Sequence, residues 1–406
     1  LRHPQGMKTP HPTQVRQAIV LLEEVMARQV PADAILASHF RRHKQMGGRD
    51  RAHLSALIYG VLRNWQGLRA RVGDQPPALI GAVLHGQFNC DASALARLGF
   101  DDAAALVAQL EAPRDLPWTV RTNLPALMAA DFEATLPEAE WQAAAEALNA
   151  PGTVDFRVNR RVATRAAVLA DLAARGIDAA PTPWAPDGVR LARRLPNGDW
   201  LLRHGAITPQ DEGSQWLVHC LPLQAHESVL DYCAGAGGKA LALAALLNDQ
   251  GRVTATDFDA ARLTRLAPRA AQASAEVTVL AFPPSPELRF DGVLVDAPCS
   301  GTGSLRRAPE RRLDTPDIAA LAELQGQVLA DAARHVAPGG WLVYATCSVL
   351  TAENEAVIQA FTAAQGAQFT PCPLKTPEGG SAPTIRLWPH RHNTDGFFAA
   401  GWRRAA

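Results

Sequence analysis

The first third of the chain carries helical periodicity. Val15, Ile19, Leu22, Met26 and Val30 recur at spacings of three and four, and Leu54, Leu57, Ile58, Val61, Leu62 and Trp65 do the same. Each stripe predicts an amphipathic helix. Helical signals run on to about Asn149, interrupted by prolines at 113, 117 and 125. The period then changes. Residues 154–158 alternate as a strand, 164–175 predict a helix and 188–192 a second strand, which reads as a small α+β module. From about Ile207 strands and helices take turns. Strands are predicted at 229–232, 253–256, 277–280, 293–295 and 341–345, and helices at 238–247, 260–273, 318–336 and 352–363. This alternation predicts a parallel sheet with helices on both faces. Residues 371–383, with four prolines and a Gly-Gly pair, predict a loop, and 395–400 a last strand. The expected domains are therefore helical residues 1–149, the module at 150–206 and an α/β domain at 207–406.

Composition narrows this picture little, and local charge changes it more. With 406 residues, 47% hydrophobic and 20% charged, the chain is globular and long enough for two or three domains. Forty basic residues balance forty acidic ones. Yet residues 14–71 hold ten Lys/Arg against four Asp/Glu, and residues 151–206 nine Arg against five Asp. The basic turn that includes Arg41, Arg42 and Lys44 is a candidate RNA contact; a solvated helical face is the plain alternative. Arg306 and Arg307 are further candidate RNA contacts. Only four of the forty cations are lysines, a bias that suits bidentate phosphate contacts. No apolar run approaches a membrane span, so no membrane partner is expected. No hydrophobic signal region opens the chain, and Met7 is the expected natural start. Six cysteines without a CxxC pair predict free thiols in a reducing compartment, no metal site and a cytoplasmic location.

Candidate chemistry gathers at the predicted strand ends. The first strand of the α/β domain runs into Asp231-Tyr232-Cys233-Ala234-Gly235-Ala236-Gly237-Gly238-Lys239 and then a helix. Small residues there let a ligand approach backbone N–H groups at the positive helix end. Ala240 after Lys239 breaks the P-loop spacing. Asp257 closes the next strand, where an acid can accept both hydroxyls of a ribose. Together these features predict a nucleoside cofactor. The fourth strand ends in Asp296-Ala297-Pro298-Cys299, the fifth in Thr346-Cys347-Ser348, so two thiols are expected to face one crevice. A buried small hydrophobe is the plain reading of a single cysteine, and it is kept for Cys90, Cys220 and Cys372.

Two thiols beside a methyl-donor nucleoside fit methylation of cytosine carbon 5. That carbon is a poor nucleophile until a thiolate adds to carbon 6. The adduct must later lose its carbon 5 proton and expel the thiol, work for a second cysteine. An acid such as Asp296 could bind the N3/N4 edge of the ring and stabilise charge developing there.

The segments 231–239, 296–303 and 344–349 resemble the Sun/Fmu family of S-adenosylmethionine-dependent RNA cytosine-C5 methyltransferases, most of all the bacterial ribosomal RNA small subunit methyltransferase B group. Residues 210–215 and 395–398 match further landmarks, and 49–63 resemble the NusB-type helical RNA-binding domain of that group. The resemblance implies an α/β, Rossmann-like methyltransferase domain preceded by an all-α NusB-like domain and a small α+β module. It implies Cys347 as nucleophile and Cys299 as the thiol assisting release, with Asp296 and Lys239 at the catalytic centre. Cys233, Ala234, Gly235, Ala236, Gly237, Gly238, Lys239, Asp257 and Asp296 would hold S-adenosyl-L-methionine, and ribosomal RNA is the expected substrate.

The sequence departs from the family in two places. Ala234-Gly235-Ala236 replaces Ala-Ala-Pro in the turn, a change among small residues. The third strand ends in Leu280-Ala281-Phe282-Pro283-Pro284 without the usual acid, leaving Phe282 as a candidate to stack on the adenine. The alternatives are a transfer RNA cytosine substrate, or a non-catalytic RNA-binding or ribosome-assembly factor that keeps the fold. Retention of both cysteines, Asp296 and Lys239 argues against the second. Amino-group methylation expects Asp/Asn-Pro-Pro-Tyr where Asp-Ala-Pro-Cys stands.

Overall fold

The apolar stripes of the first third fold into ten helices among the described residues, including Pro12–Met26, Ala32–Arg42, Gly48–Arg63 and Pro76–Phe88. The computed structural model describes residues 8–27, 30–248 and 250–406; Met7 lies outside them. Val15, Leu22, Leu54, Leu57, Ile58, Val61 and Leu62 share one core. The first stripe stops short of its expected end, because the helix closes at Met26 and Val30 is half exposed. No described helix is long and apolar enough to cross a membrane.

This helical unit comprises residues up to Pro151 and, unexpectedly, Ser304–Thr315. Leu313 packs against its core, and Glu310 accepts from the Ala32 amide. Two arginines fasten the segment. Arg63 donates to the carbonyls of Asn149, Ala150 and Arg306, at 2.9, 3.1 and 2.8 Å. Arg312 is buried and donates to those of Asn123, Leu305 and Leu148, at 3.3, 3.2 and 3.1 Å. Burial pushes its guanidinium down to about 9.

The second unit holds residues 152–303 and 316–406 and contains two main sheets. In the small antiparallel sheet the strands β1 (Val154–Val158), β2 (Ala179–Pro181), β3 (Gly188–Leu191) and β4 (Ile207–Pro209) take the order β2-β3-β1-β4. The helix Arg165–Ala174 supplies Val168 and Leu172 to a core with Phe156, Val158, Val189 and Ile207. The small sheet therefore extends past residue 206, since Ile207 packs into its core and β4 pairs with β1. Backbone carbonyls bolt this module to the larger sheet's helices: Asn159 donates to Ala273 and Arg157 to Gly238, both at 2.8 Å.

The large sheet contains β5 (Ser228–Asp231), β6 (Arg252–Ala255), β7 (Thr278–Val279), β8 (Phe290–Asp296), β9 (Val336–Thr346), β10 (Phe369–Pro371), β13 (Thr384–Leu387) and β14 (Phe397–Arg404). A separate hairpin of β11 (Leu374–Lys375) and β12 (Ser381–Ala382) interrupts the expected loop. The sheet order is β10-β14-β9-β8-β5-β6-β7, with β13 also on β14. From β7 to β9 the strands are parallel, and β14 returns antiparallel to β9. Strand order reverses between β5 and β8, and ligands bind outside the carboxyl ends at such a point. The expected helix 260–273 is split into Ala260–Leu263 and Leu266–Gln272. Pro268 explains the split, because a residue without an N–H is tolerated only in a helix's first turn. The edge strand β7 keeps two exposed residues of the four expected.

Replacing the buried Arg312 with methionine removes three donors from backbone carbonyls. Arg312→Met should lower unfolding free energy by about 1–3 kcal/mol, measured by urea titration. An unchanged midpoint would mean that those carbonyls find other donors.

Candidate active site

The turn after β5 is built by glycines in the left-handed region. Gly235 has φ +53° and Gly237 φ +79°, and a Cβ on Gly237 would lie 2.1 Å from Leu266 Cδ1. The helix Gly238–Leu247 then starts with its N-terminus at the turn. Around Gly238 there is room, since a Cβ at that position would meet nothing closer than Gln210 Nε2, at 3.9 Å. Asp257 lies beneath and is fully enclosed. Its oxygens accept from the amides of Gly235 (2.7 Å) and Asp259 (2.9 Å), and Arg262 pairs with it at 3.4 Å. Asp257 thus shapes the turn itself, a task that its place at a strand end does not reveal. Phe282 is 40% exposed and meets Tyr232 edge-on, with ring centroids 5.7 Å apart.

At the reversal point three ionisable groups crowd together. Lys239 Nζ sits 2.5 Å from Asp296 Oδ2. Burial alone would push the Lys239 ammonium down, but Asp296, with Asp231 and Cys347, outweighs it and holds the amine above its ordinary value. Asp231 ends β5 and is wholly buried, with no hydrogen-bond partner on either carboxyl oxygen. Burial first, then the Asp296 charge, push it up to about 7. Lys239 offsets part of this, and the Ala240 amide a smaller part. This carboxyl opens the glycine-turn motif, but no spacing rule says that it lacks partners.

The thiols of Cys299 and Cys347 face each other with sulfurs 3.4 Å apart. The hydrogen bond with Cys347, then burial, hold the Cys299 thiol well above its ordinary value, which favours its protonated form. Gly303 makes the close approach possible. Its amide donates to the Cys347 carbonyl at 2.9 Å, its carbonyl accepts from Gly396 at 2.8 Å, and a Cβ there would lie 2.2 Å from Gly396 O. The landmark at 395–398 is tied in again through Asp211, which accepts from the Asp395 amide. Cys90 and Cys220 are buried as expected, whereas Cys372 is only partly buried; Cys233 is buried too, its thiol pushed well up by that burial.

Arg41, Arg42, Lys44 and Arg307 are exposed, as RNA contacts must be. Arg306 is not. It is 4% exposed, and its guanidinium donates to the Pro151 carbonyl inside the helical unit, so it is withdrawn as an RNA contact.

A parallel sheet that reverses its strand order at a glycine-rich turn, with a ligand cradle and chemistry at the strand ends, is the architecture of the Rossmann-like methyltransferases. Residues 218–403 match the family described as 16S rRNA methyltransferase RsmB/F, and residues 124–197 match the RsmF/B-like ferredoxin-like domain. The chain is 34% identical to the ribosomal RNA small subunit methyltransferase B of Pseudomonas syringae pv. tomato, covering 74% of this chain and 69% of that one. It is 28% identical to a probable ribosomal RNA small subunit methyltransferase B of Synechocystis sp., over 96% and 98% of the two chains. The crystal structure of PH0851 shares the fold, with a TM-score of 0.80 at 23% identity over 97% of this chain and 99% of that one. The chain belongs to the RsmB/F group of the Sun/Fmu methyltransferase family.

The folded Asp231 carboxyl, at about 7, lies above its ordinary 3.8. The folded state therefore binds the extra proton, and this stabilisation is present below about pH 4 and lost as pH rises through about 7. Asp231→Asn should gain stability relative to the native chain between pH 5 and 8, read by urea unfolding at both. An equal gap at the two pH values would mean that Asp231 titrates normally.

Proposed function

We propose that this protein transfers a methyl group from S-adenosylmethionine to carbon 5 of a cytosine in ribosomal RNA. The observation that carries the reading is the pair of thiols 3.4 Å apart, beside the Lys239–Asp296 ion pair, at the strand-order reversal. The chain's residues suit the cofactor. The left-handed glycine turn leaves its helix N-terminus open, and the unpartnered, buried Asp231 lies at its base. Cys233, Ala234, Gly235, Ala236, Gly237, Gly238 and Lys239 would line the cradle, with Asp257 bracing it and Asp296 at its edge. When bound, S-adenosylmethionine supplies an electrophilic methyl group.

The remaining chemistry belongs to the side chains. The Cys347 thiolate adds to carbon 6 of the cytosine, and the ring electrons shift so that carbon 5 becomes nucleophilic. Asp296 faces the N3/N4 edge, and the Lys239 ammonium keeps that carboxylate fixed and stabilises nearby negative charge. After carbon 5 is methylated its proton must leave. Cys299 first gives its own proton to solvent; its thiolate then takes the carbon 5 proton, and that bond's electrons form the carbon 5–carbon 6 double bond as the carbon 6–sulfur bond breaks and returns the Cys347 thiolate. Carbons 5 and 6 are reached only if the base is turned out of any stack. The RNA substrate is inferred from the family and from the exposed basic turn.

Cys347→Ala should abolish both methyl transfer and covalent RNA adduct. Cys299→Ala should attack yet fail to release, accumulating an adduct that survives denaturing gels. Adduct in the first variant and none in the second would reverse the roles. Bisulfite sequencing of total RNA from a deletion strain and its parent reads the modified cytosine; a change confined to transfer RNA would replace the proposed substrate.

Neutralising Arg41, Arg42 and Lys44 together should weaken RNA binding and leave S-adenosylmethionine affinity alone. Each lost phosphate contact flattens the logarithmic salt dependence by about 0.7–0.9, so the slope should fall by about 2–3. Identical RNA affinities at every salt concentration would return this turn to a solvated helix face.

A further inference from the structure

Each active-site cysteine is followed by a serine, Ser300 after Cys299 and Ser348 after Cys347. Both hydroxyls reach the same acceptor. Oε2 of Glu353 accepts from Ser300 Oγ and from Ser348 Oγ, each at 2.5 Å. Oε1 accepts from the Ser300 amide at 2.8 Å and from Gln325 Nε2 at 3.0 Å. The same Gln325 nitrogen donates to the carbonyl of Pro298 at 2.9 Å, on the other side of Cys299. Glu353 is 0% exposed. Its backbone is fixed as well, since the Tyr344 hydroxyl donates to its carbonyl at 2.6 Å. Next to it, Asn354 accepts from Thr346 Oγ1 at 2.6 Å and donates to the Ser348 carbonyl at 3.0 Å, holding both neighbours of Cys347.

We propose that Glu353 is a positioning residue for both thiols, setting the distance between Cys299 and Cys347 by holding their two loops on one carboxylate. The inference rests on the two-thiol reading of the reaction. Those loops follow different strands, β8 and β9, so pairing in the sheet ends before the sulfurs are reached. Burying a carboxylate is costly, and a well-packed apolar group often serves stability as well or better. What an apolar group cannot do is accept three donors from the two loops and a fourth from Gln325 at once. Reacting groups must be held tightly, because a misplacement of about 1 Å can cost about a hundredfold in rate. The Glu353 charge also helps to raise the Cys299 thiol, after Cys347 and burial. It thereby favours a protonated Cys299 beside the attacking thiolate.

The test compares Glu353→Ala with Glu353→Gln in the full chain, on RNA that the native protein methylates. Alanine should lower kcat by about tenfold to a hundredfold with S-adenosylmethionine affinity within about twofold of native. Glutamine keeps an acceptor for Ser300 N and Gln325 and offers its amide to the two hydroxyls, so it should recover most of that rate. A native kcat in Glu353→Ala overturns the proposal, and so does a Gln variant as slow as the Ala variant. If Glu353→Ala fails to fold, Ser300→Ala, Ser348→Ala and their double variant carry the test. Because both serines act through one carboxylate, their losses in kcat should be non-additive, and simple additivity overturns it. Alkylation of the protein alone, followed at Cys299 by mass spectrometry across pH, needs no turnover. In Glu353→Gln the Cys299 labelling midpoint should move to lower pH, and an unmoved midpoint removes the link between Glu353 and that thiol. A native protein that methylates no cytosine, with the labelling shift intact, would sink the proposed reaction while leaving the anchoring in place.

Discussion

One buried ammonium balances the centre of the α/β unit. Lys239 is enclosed between Asp296, which it touches, and Asp231, which has no hydrogen-bond partner of its own. Three such groups are tolerated together only because their charges nearly cancel; removing the cation would leave two carboxyls in a low-dielectric site. Sequence position makes this arrangement unavoidable. Lys239 is the second residue of the helix that starts directly after the glycine turn, and Asp231 and Asp296 end the two strands between which the strand order reverses. The parallel pairing of β5 with β8, Asp231 opposite Leu294, brings the acids near one another. The glycine turn, the sheet reversal and the charge balance are therefore one constraint. A shift of the turn would strand the charges, and a loss of the cation would drive Asp231 further towards its neutral form.

The two thiols sit in different electrostatic environments. Both lie just past the sheet, yet the Cys299 thiol is raised by Cys347, by burial and by the Glu353 charge. Cys347 lies close enough to Lys239 for the two charges to act on one another. In the proposed reaction the thiolate of Cys347 attacks, and a raised Cys299 is a strong base for the carbon 5 proton once its own proton has left. Two cysteines in identical surroundings would compete for the same role.

Much of this is legible in the sequence because it is local. The strands of the parallel sheet, the glycine turn and the paired Asp-Ala-Pro-Cys and Thr-Cys segments are written in consecutive residues, and local chemistry gives their backbone shape. Three of the misses share a physical cause, long-range packing. Arg306 looks like a phosphate ligand until the chain beyond Gly303 is seen to fold into the helical unit, where that guanidinium is buried. Glu353 follows the Thr-Cys-Ser segment by five residues and carries no motif; only the meeting of the two loops with the helix that bears Gln325 gives it four donors. Ile207 reads as the start of the next domain but finishes the small sheet, since a strand's partner is not encoded in the strand. The split at Pro268 is local and readable, yet the apolar period across 260–273 masks it.

The segment Ser304–Thr315 also alters what the helical unit is. Its sequence lies deep in the α/β half, directly after the loop of Cys299, while its side chains belong to the unit formed by the first 151 residues. Leu313 needs that unit's apolar core, Arg312 needs the carbonyls of Asn123 and Leu148, and Arg63 needs that of Arg306. A chain cut after Pro151 would leave Leu313 exposed and Arg312 with two of its three carbonyl partners gone. The helical unit is thus not a detachable leader. It is completed by the same stretch of chain that leaves the Cys299 loop, so the helical unit draws on sequence from both halves of the chain.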